Sequence, residues 1–532
     1  MIILGINAYH PNSSACLLVD GELRIAIEEE RINRIKNWSG LPIESIKYCL
    51  NNQNINISKV DKIAINQDFY ANIFSKLKYS FLNRPNFSLI SESIKKKIKR
   101  KNVINLIEQK IGNFKKNCNL TGIEHHYSHH AYAFYESNYD VSANVSVDGF
   151  GDFASTTWGL GISENLRIDE KVLFPHSLGI LYESFTQFLG FVNYGDEYKV
   201  MGLSSLGKPT EINKIKKIIK LKKNGKFELN LDYFNHHSNN TTYSFDNKEP
   251  KIDKLYSENF KNLFGLPRNK NEKINEKHIN LASSVQKVYE ETLFHILEHV
   301  YQKYKVENLT LSGGCAQNSL ANGKIVNNTS FRSLFVPPNP GDGGGCVGAA
   351  YSLWKKITKK KPINNLGGYL GGSYDNNEIE KLINNLKNKI EDKNCNYFFL
   401  ENQETLCDFT AKKLSNGMVV GWFQGKMEWG PRALGNRSIL ADPRNPNIKD
   451  ILNLKIKRRE SFRPFAPSIL FEDANCWFNN FKDEEPYMSR VLQFKEEKYM
   501  LVPGVVHVDG SGRLQTVKKK RQSNLLQSNQ KL

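Results

Sequence analysis

Short apolar runs broken by polar or glycine positions fill the first thirty residues. They predict strands over Ile2–Asn7, Ser14–Asp20 and Leu23–Glu30, with a hairpin turn at Asp20-Gly21. Two later apolar runs pass straight into glycines: Val141–Val147 into Asp148-Gly149-Phe150-Gly151-Asp152, and Leu309–Leu311 into Ser312-Gly313-Gly314-Cys315-Ala316-Gln317-Asn318. A strand followed by a glycine turn leaves backbone N–H groups free to face an anion, so nucleotide phosphate is the first ligand to consider. Between these runs, apolar residues at three- and four-residue spacing predict helices over Leu178–Phe191 and Val285–Tyr304, and the small-residue stretch Asp342–Trp354 suits a helix packed on a sheet. The pattern is α/β.

The stretch 207–280 is polar and weakly periodic, as an insertion of short strands and loops would be. A basic segment with Pro362, followed by paired glycines at 367–368 and 371–372, reads as a linker. The expected division is 1–355, a linker 356–372 and a second domain 373–532. That domain is expected to hold helices over Asn377–Ile390 and Glu404–Asn416, strands over Asn396–Glu401 and Met418–Phe423, a glycine loop, and a basic helix before Arg463.

Length agrees, since 532 residues make two to four domains at roughly 100–200 residues each. No apolar run approaches the ~18 residues a membrane helix needs. The N-terminus lacks a basic leader and reads as a buried strand, so a cytoplasmic protein without membrane insertion is expected. The net charge, 74 − 55 = +19, admits a polyanionic partner. The lysines, however, fall in runs such as Lys95–Lys101, 214–226 and 355–361 of an Asn-, Ile- and Lys-rich chain, which favours solvated faces over nucleic-acid binding. Eight scattered cysteines without CxxC pairs read as reduced thiols.

The sharpest local feature is His125-His126-Tyr127-Ser128-His129-His130. Residues four apart share a helix face, so either His125/His129 or His126/His130 could grip one cation. Asp148, at a strand end nineteen residues after His129, could complete a two-histidine, one-carboxylate site for Fe(II), Mn(II) or Zn(II). The bland alternative is a histidine-rich capped or exposed helix. Asp342, before three glycines, is an N-cap by default and a fourth ligand only if the fold delivers it. In the second domain, Lys426, Arg432 and Arg437 cluster around glycines after a strand, and Arg463 follows a basic stretch. Converging guanidiniums there would hold a polyanion such as ATP or carbamoyl phosphate.

Taken together, Gly5-Ile6-Asn7 with His10, Glu28–Arg31, Glu124–His129, Asp148-Gly149, Gly195–Leu203, Ser312–Asn318 and the block Gly430–Asp442 resemble the NodU/CmcH carbamoyltransferases. That family includes enzymes acting on nodulation factors, cephem antibiotics and tobramycin. The resemblance implies an N-terminal actin/hexokinase/Hsp70-like domain, similar to the tRNA threonylcarbamoyl transferase. It implies a C-terminal α/β domain similar to the threonylcarbamoyl-adenylate synthase. ATP and carbamoyl phosphate would form carbamoyl-adenylate in the second domain, and the first would pass the carbamoyl group to a hydroxyl of a sugar or small molecule, in a biosynthetic role.

Carried over by motif, His125, His129, Asp148 and Asp342 would hold a divalent metal, by analogy Fe(II), with Mg2+ as an optional second ion. His10 would be the general base, with Lys36 a second catalytic group. Gly149, Asp152, Gly202, Gly313, Gly314 and Asn318 would contact the nucleotide. Lys426, Glu428, Arg432, Arg437, Ser438 and Arg463 would bind carbamoyl phosphate and ATP. The acceptor and the oligomeric state stay open, a homodimer being one option.

One departure stands out. The family pattern holds through Val505–Val517, but a Thr-Ser-Phe-Asn motif expected beyond it is absent and the tail 518–532 is polar and basic. The expectation is a C-terminally incomplete second domain with impaired adenylate formation. Two alternatives follow: a remnant that binds nucleotide and metal only, or a relative of the tRNA-modifying transferase.

Overall fold

The computed structural model describes residues 1–83, 102–237, 243–245, 247–363, 367–393 and 395–518. The chain divides into two compact units, Met1–Leu366 and Gly367–Leu532. The basic run at Lys95–Lys101 and the tail from 519 lie outside the described residues.

The first unit holds two five-stranded sheets. In one, β1 (Ile2–Asn7), β2 (Ser14–Val19), β3 (Glu22–Glu28), β4 (Lys62–Ile65) and β5 (Leu120–Gly122) run in the order β3-β2-β1-β4-β5. The first three form an antiparallel meander and the last two are parallel to β1. The turn between β2 and β3 has positive φ at both Asp20 and Gly21, as a tight hairpin requires.

The second sheet repeats the plan. Its strands β6 (Val141–Gly151), β7 (Ala154–Ile162) and β8 (Asn165–Leu173) form the meander. Between them and its last two strands lie the small pairs β9 (Ile219–Leu221) with β10 (Phe227–Leu229) and β11 (Tyr243–Ser244) with β12 (Lys251–Ile252). Then β13 (Asn308–Ser312) and β14 (Ser333–Phe335) complete the order β14-β13-β6-β7-β8, parallel to β6. The two sheets therefore share one topology.

The central strands are buried on both faces and read differently. β1 is almost wholly apolar, as a strand covered on both sides should be. β6 alternates Ala143, Val145 and Val147 with Ser142, Asn144 and Ser146, all buried. Its polar side is satisfied internally: Asn144 Oδ1 accepts from Thr310 Oγ1 at 2.5 Å, and Ser146 Oγ meets His126 Nδ1 at 2.9 Å.

Helices His125–Glu136 and Gly345–Thr358 pack against each other, the first following β5 and the second following the turn Asp342–Gly344. They approach closely because Gly348 has no side chain, and a Cβ there would stand 1.8 Å from the Ser128 carbonyl oxygen. The insertion between residues 207 and 280 is anchored by an aromatic cluster of Phe185, Phe188, Phe260 and Phe264.

The second unit is built of two-stranded pieces: β15 (Val420–Phe423) with β16 (Arg437–Leu440), β17 (Ser468–Leu470) with β20 (Gln515–Val517), and β18 (Val491–Gln493) with β19 (Ser511–Arg513). The strand expected over Asn396–Glu401 does not form. Tyr397, Phe398 and Phe399 are exposed, and no neighbouring strand pairs with them among the described residues. The helix expected over Asn377–Ile390 is broken at Leu386 into Asn376–Asn385 and Lys387–Asp392. The basic helix before Arg463 is a single wide turn, Ile451–Ile456.

Candidate active site

The histidine helix starts under two side-chain caps: Glu124 accepts from Tyr127 N at 2.6 Å, and Asp152 Oδ2 accepts from His125 N at 2.9 Å. All four histidines are buried, so the exposed-helix alternative does not hold. The two registers have different fates. His126 and His130 face β6 and β7, where His126 meets Ser146 and the Ala154 carbonyl, and His130 Nε2 meets Thr157 Oγ1 at 2.7 Å. Burial, reinforced by the neighbouring imidazoles, pushes His126 down to about 3, and it holds His130 far below the ordinary histidine range. Both are neutral structural groups.

His125 and His129 point the other way. Their Nε2 atoms lie 3.1 Å apart, and Asp148 Oδ2 stands 3.2 and 3.1 Å from them. Asp342 Oδ1 completes the ring at 3.5 Å from His125 Nε2 and 3.7 Å from His129 Nε2. One ligand atom from each residue falls within 4.8 Å of every other. Asp342 caps no helix through its side chain, which rules out the default reading of that residue. Neither His125 nor His129 has a partner on Nδ1 among the described residues, so the converging Nε2 atoms account for how these rings are set.

The electrostatics say the same. Burial opposes a charge on His129, yet Asp148 and Asp342 outweigh it and hold His129 up at about 9. Burial would lift Asp148, but the two histidines hold it well below the usual carboxylate range. The pocket stabilises positive charge, and two imidazole nitrogens with two carboxylate oxygens form a donor set that fits a divalent first-row cation.

Around this ring sit several of the other expected residues. The His10 ring stacks on His125 with centroids 5.1 Å apart, and its Nδ1 is 3.8 Å from Asp342 Oδ2. Its loop is laced to residues 37–40 by backbone bonds from Tyr9, Asn12 and Ser13. Asn37 in turn donates to the Tyr194 carbonyl at 2.8 Å. Lys36 lies on the exposed side of this junction, 5.1 Å from the Tyr198 ring centre and close enough to Glu197 to influence its charge. Two groups the sequence did not single out join here. Burial, and after it the charges of Asp342, Glu183, Asp148 and Glu197, raise the Tyr194 hydroxyl well above the ordinary tyrosine value. Burial, with Asp196 adding to it, lifts Glu197 to about 7.

The glycine loops divide by role. Asp148 Oδ1 accepts from Gly149 N at 2.8 Å and Gly314 N at 3.1 Å, joining both loops to the cation ring. At Gly149 a Cβ would meet nothing within 4 Å, so that backbone is open to a ligand. Gly313 has φ +87° and lies against the Val147 backbone, where any side chain would clash. Asn318 caps the helix Ser319–Asn328 and exchanges amide bonds with Gln286, so its side chain is committed to the fold. Asp152 is committed likewise, to the N–H groups of Asp68 and His125. Gly202 is buried within the helix Glu197–Ser204.

In the second unit the expected anion ligands separate into loop builders and a cluster. Glu428 Oε1 accepts from the N–H groups of Leu434, Asn436 and Arg437 at 2.8, 2.9 and 2.9 Å. Arg437 donates to the carbonyls of Gln424, Gly425 and Asn436 and stacks on Phe423. Ser438 Oγ accepts from Gly435 N at 3.0 Å. These three shape the loop, and Lys426 is exposed beside it. Burial first, and then the charges of Arg432, Arg459 and Arg463, hold the guanidinium of Arg513 well below the ordinary arginine value, and Arg513 is a residue sequence reasoning assigned no role because it sits in an unremarkable short strand.

Family comparisons bear on both units. The family model "Carbamoyltransferase N-terminus" matches residues 2–351, and "Carbamoyltransferase C-terminus" matches residues 411–531. The second match runs past Val517, so the expected loss of family pattern after that residue is not borne out. Nor is Val517 a ragged end, since β20 pairs with β17 and Gln515 grips the arginine loop. The remnant reading loses its ground with that correction. An uncharacterised protein of Synechocystis sp. is 36% identical over 97% of this chain and 86% of its own. Nodulation protein NolNO of Sinorhizobium fredii is 33% identical over 96% of this chain and 70% of its own. Nodulation protein NolO of Bradyrhizobium diazoefficiens is 33% identical over 75% of this chain and 68% of its own. Among solved structures, component A of the Acidaminococcus fermentans (R)-2-hydroxyglutaryl-CoA dehydratase aligns over 67% of this chain and 99% of its own, at 11% identity and a TM-score of 0.34.

Proposed function

The chain belongs to the carbamoyltransferase family and is an enzyme of that class, and from this premise we propose that it is an O-carbamoyltransferase with its labour divided between the units. In the second unit water releases the phosphate of carbamoyl phosphate and the carbamate so formed displaces pyrophosphate from ATP to give carbamoyl-adenylate; in the first, a hydroxyl of a sugar or small-molecule acceptor attacks the carbamoyl carbon, giving up its proton, and AMP leaves. The observation that carries the reading is the ring of His125, His129, Asp148 and Asp342 with His10 stacked at its edge and two glycine loops bonded to Asp148. The repeated sheet topology supports reading the first unit as an actin/hexokinase-like nucleotide domain.

An alcohol is a weak nucleophile at neutral pH, and on this reading His10, at the edge of the ring, takes its proton. Asp342 faces His10 and fixes the ring, so a proton gained there meets a carboxylate. A divalent cation, held by His125, His129, Asp148 and Asp342, would polarise the carbamoyl oxygen as a Lewis acid. Gly149 and Gly314 leave their backbone close to Asp148 without side chains, which suits a nucleotide phosphate beside the ring. In the second unit Arg432 and Arg463 offset charge that develops on phosphate oxygens, while Glu428, Arg437 and Ser438 hold the loop in shape.

The test is carbamoyl-phosphate-dependent pyrophosphate release from ATP without acceptor. Release is expected from the wild type, from His10→Asn and from Asp342→Asn, and is expected to vanish in Arg432→Ala. Release that survives Arg432→Ala, or dies equally in Asp342→Asn, overturns the division of labour.

A further inference from the structure

Helix Ile73–Asn83 of the first unit carries its apolar side chains outward. Phe74, Leu77 and Phe81 stand at i, i+3 and i+7, which is one face of a helix. That face looks at solvent: Phe74 and Phe81 are 85% and 84% exposed, and Leu77 and the adjacent Leu82 are 60% and 66% exposed. The opposite face is seated on the protein. The Tyr79 ring meets Phe153 and Phe174 edge-on, with centroids 5.7 and 5.1 Å away, and Lys76 Nζ donates to the Phe69 carbonyl at 3.0 Å. The apolar stripe is therefore not what fastens the helix to its unit. The root of the helix lies beside the histidine helix. Asn72 Nδ2 donates to the Asp152 carbonyl at 2.8 Å, and Asp68 N donates at 2.8 Å to Asp152 Oδ2, the oxygen that also caps the histidine helix at His125 N.

Four large apolar side chains on one exposed face call for a partner, and charge decides its kind. From Phe69 to Lys101 the sequence holds nine basic residues and one acidic residue, Glu92, so this stretch carries 9 − 1 = +8 of the chain's +19. Lys78 stands exposed on the helix itself. A second copy of the chain would bring the same positive charge to the contact, and the basic residues that follow the helix in sequence bear that sign too. A duplex nucleic acid would answer the charge and leave phenylalanine and leucine in water. An anionic lipid surface answers both, since headgroups attract the basic residues and the acyl boundary accepts the apolar face. The helix has eleven residues where crossing a bilayer takes ~20, so it would lie in the interface and not span it.

We propose that helix Ile73–Asn83 docks the protein on an anionic lipid surface, with Phe74, Leu77 and Phe81 at the acyl boundary and Lys78 among the headgroups. The element that meets the lipid is then one carboxylate, Asp152, removed from the helix that carries His125 and His129.

The experiment sediments the full chain with vesicles of phosphatidylcholine, alone or with about one third phosphatidylglycerol, at low and high salt. Wild type is compared with the double variant Phe74→Ser/Phe81→Ser and with Leu266→Ser, which removes a leucine 83% exposed outside this helix. Wild type and Leu266→Ser are expected to sediment with the phosphatidylglycerol vesicles, to ignore phosphatidylcholine alone, and to be released at high salt. The double variant should bind ~tenfold or more weakly, because binding scales with the apolar area inserted, while its unfolding midpoint stays that of the wild type. In Phe81→Trp, tryptophan emission is expected to move to shorter wavelength when phosphatidylglycerol vesicles are added. A wild type that binds no vesicles overturns the proposal, as does a double variant that binds as tightly as the wild type. Emission of Phe81→Trp that is already short in wavelength without lipid, and unmoved by it, would show the chain covering its own helix. A wild type that dimerises without lipid, with the dimer lost in the double variant, would give the face to a second copy. Either of these results overturns the proposal too.

Discussion

His125 and His126 are neighbours in the chain and live under opposite rules. One looks at two carboxylates, which raise it above the ordinary histidine value against the effect of burial, and the other looks at a serine and a carbonyl and stays neutral. The same helix ends in a third case. Glu136 is buried, receives the Tyr351 hydroxyl, and is lifted by burial to about 7. Its native value lies above the ordinary 4.5, so the stability it contributes is complete below about pH 4.5 and is lost as pH rises through about 7. At about 1.4 kcal/mol per unit, the loss is on the order of 3 kcal/mol. Glu136→Gln keeps an acceptor for Tyr351 and removes the titration. Urea unfolding midpoints at pH 5 and pH 8 should therefore differ less in the variant than in the wild type; an unchanged difference would show that Glu136 does not titrate in this range. Residue types and spacing made the histidine pair and Asp148 legible in the sequence, but not which of the two registers faces the acid. That choice depends on β6 presenting Ser146 to one side and Asp148 at its end, a fact of the fold.

At the scale of elements, the cation ring is the meeting point of a helix start, a strand end and the loop before a second helix, and Gly348 sets how closely the two helices approach. Gly348→Ala would place a methyl group inside the Ser128 carbonyl's space, one residue from His129. Overpacking of this kind costs about 1–3 kcal/mol, and the displaced helix would carry His125 and His129 away from Asp342. The expected outcome is a lower unfolding midpoint together with weaker divalent-cation binding by calorimetry. A variant that loses stability yet binds the cation as before would uncouple the ring from the helix contact. The strands of the first sheet, the glycine turns and the long helices could be read from period and turn residues alone. The second unit could not: its helices lie largely exposed and its strands are three or four residues long, so periodicity carries little signal there. The expected strand at Asn396–Glu401 failed because an aromatic run needs a partner strand as well as β propensity. Arg513 was invisible for a related reason, since nothing in a short strand announces three arginines brought to it from distant segments.

At the scale of the whole molecule, the net charge of +19 gives no guide to the candidate sites, because the arginines proposed to bind phosphate are few and half-buried while the lysine runs are spread along the chain. On the proposed division of labour, each of the two units holds a cluster of its own. The ring of His125, His129, Asp148 and Asp342 draws on the first unit alone, and the cluster of Arg432, Arg459, Arg463 and Arg513 on the second alone. Lesions should therefore separate. His129→Ala removes one of two imidazole donors and leaves two carboxylates facing each other, so its bound divalent metal, read by elemental analysis, should fall far below that of the wild type. If the second unit activates on its own, pyrophosphate release should stay within about twofold of wild type, the scatter expected of sites that share no partners. Arg432→Ala should do the reverse, keeping wild-type metal content while release disappears. If His129→Ala lost both, or if chelation of the wild type stopped pyrophosphate release as completely as it stopped transfer, the metal would serve the activation step as well, and the two clusters would have to be treated as one catalytic system.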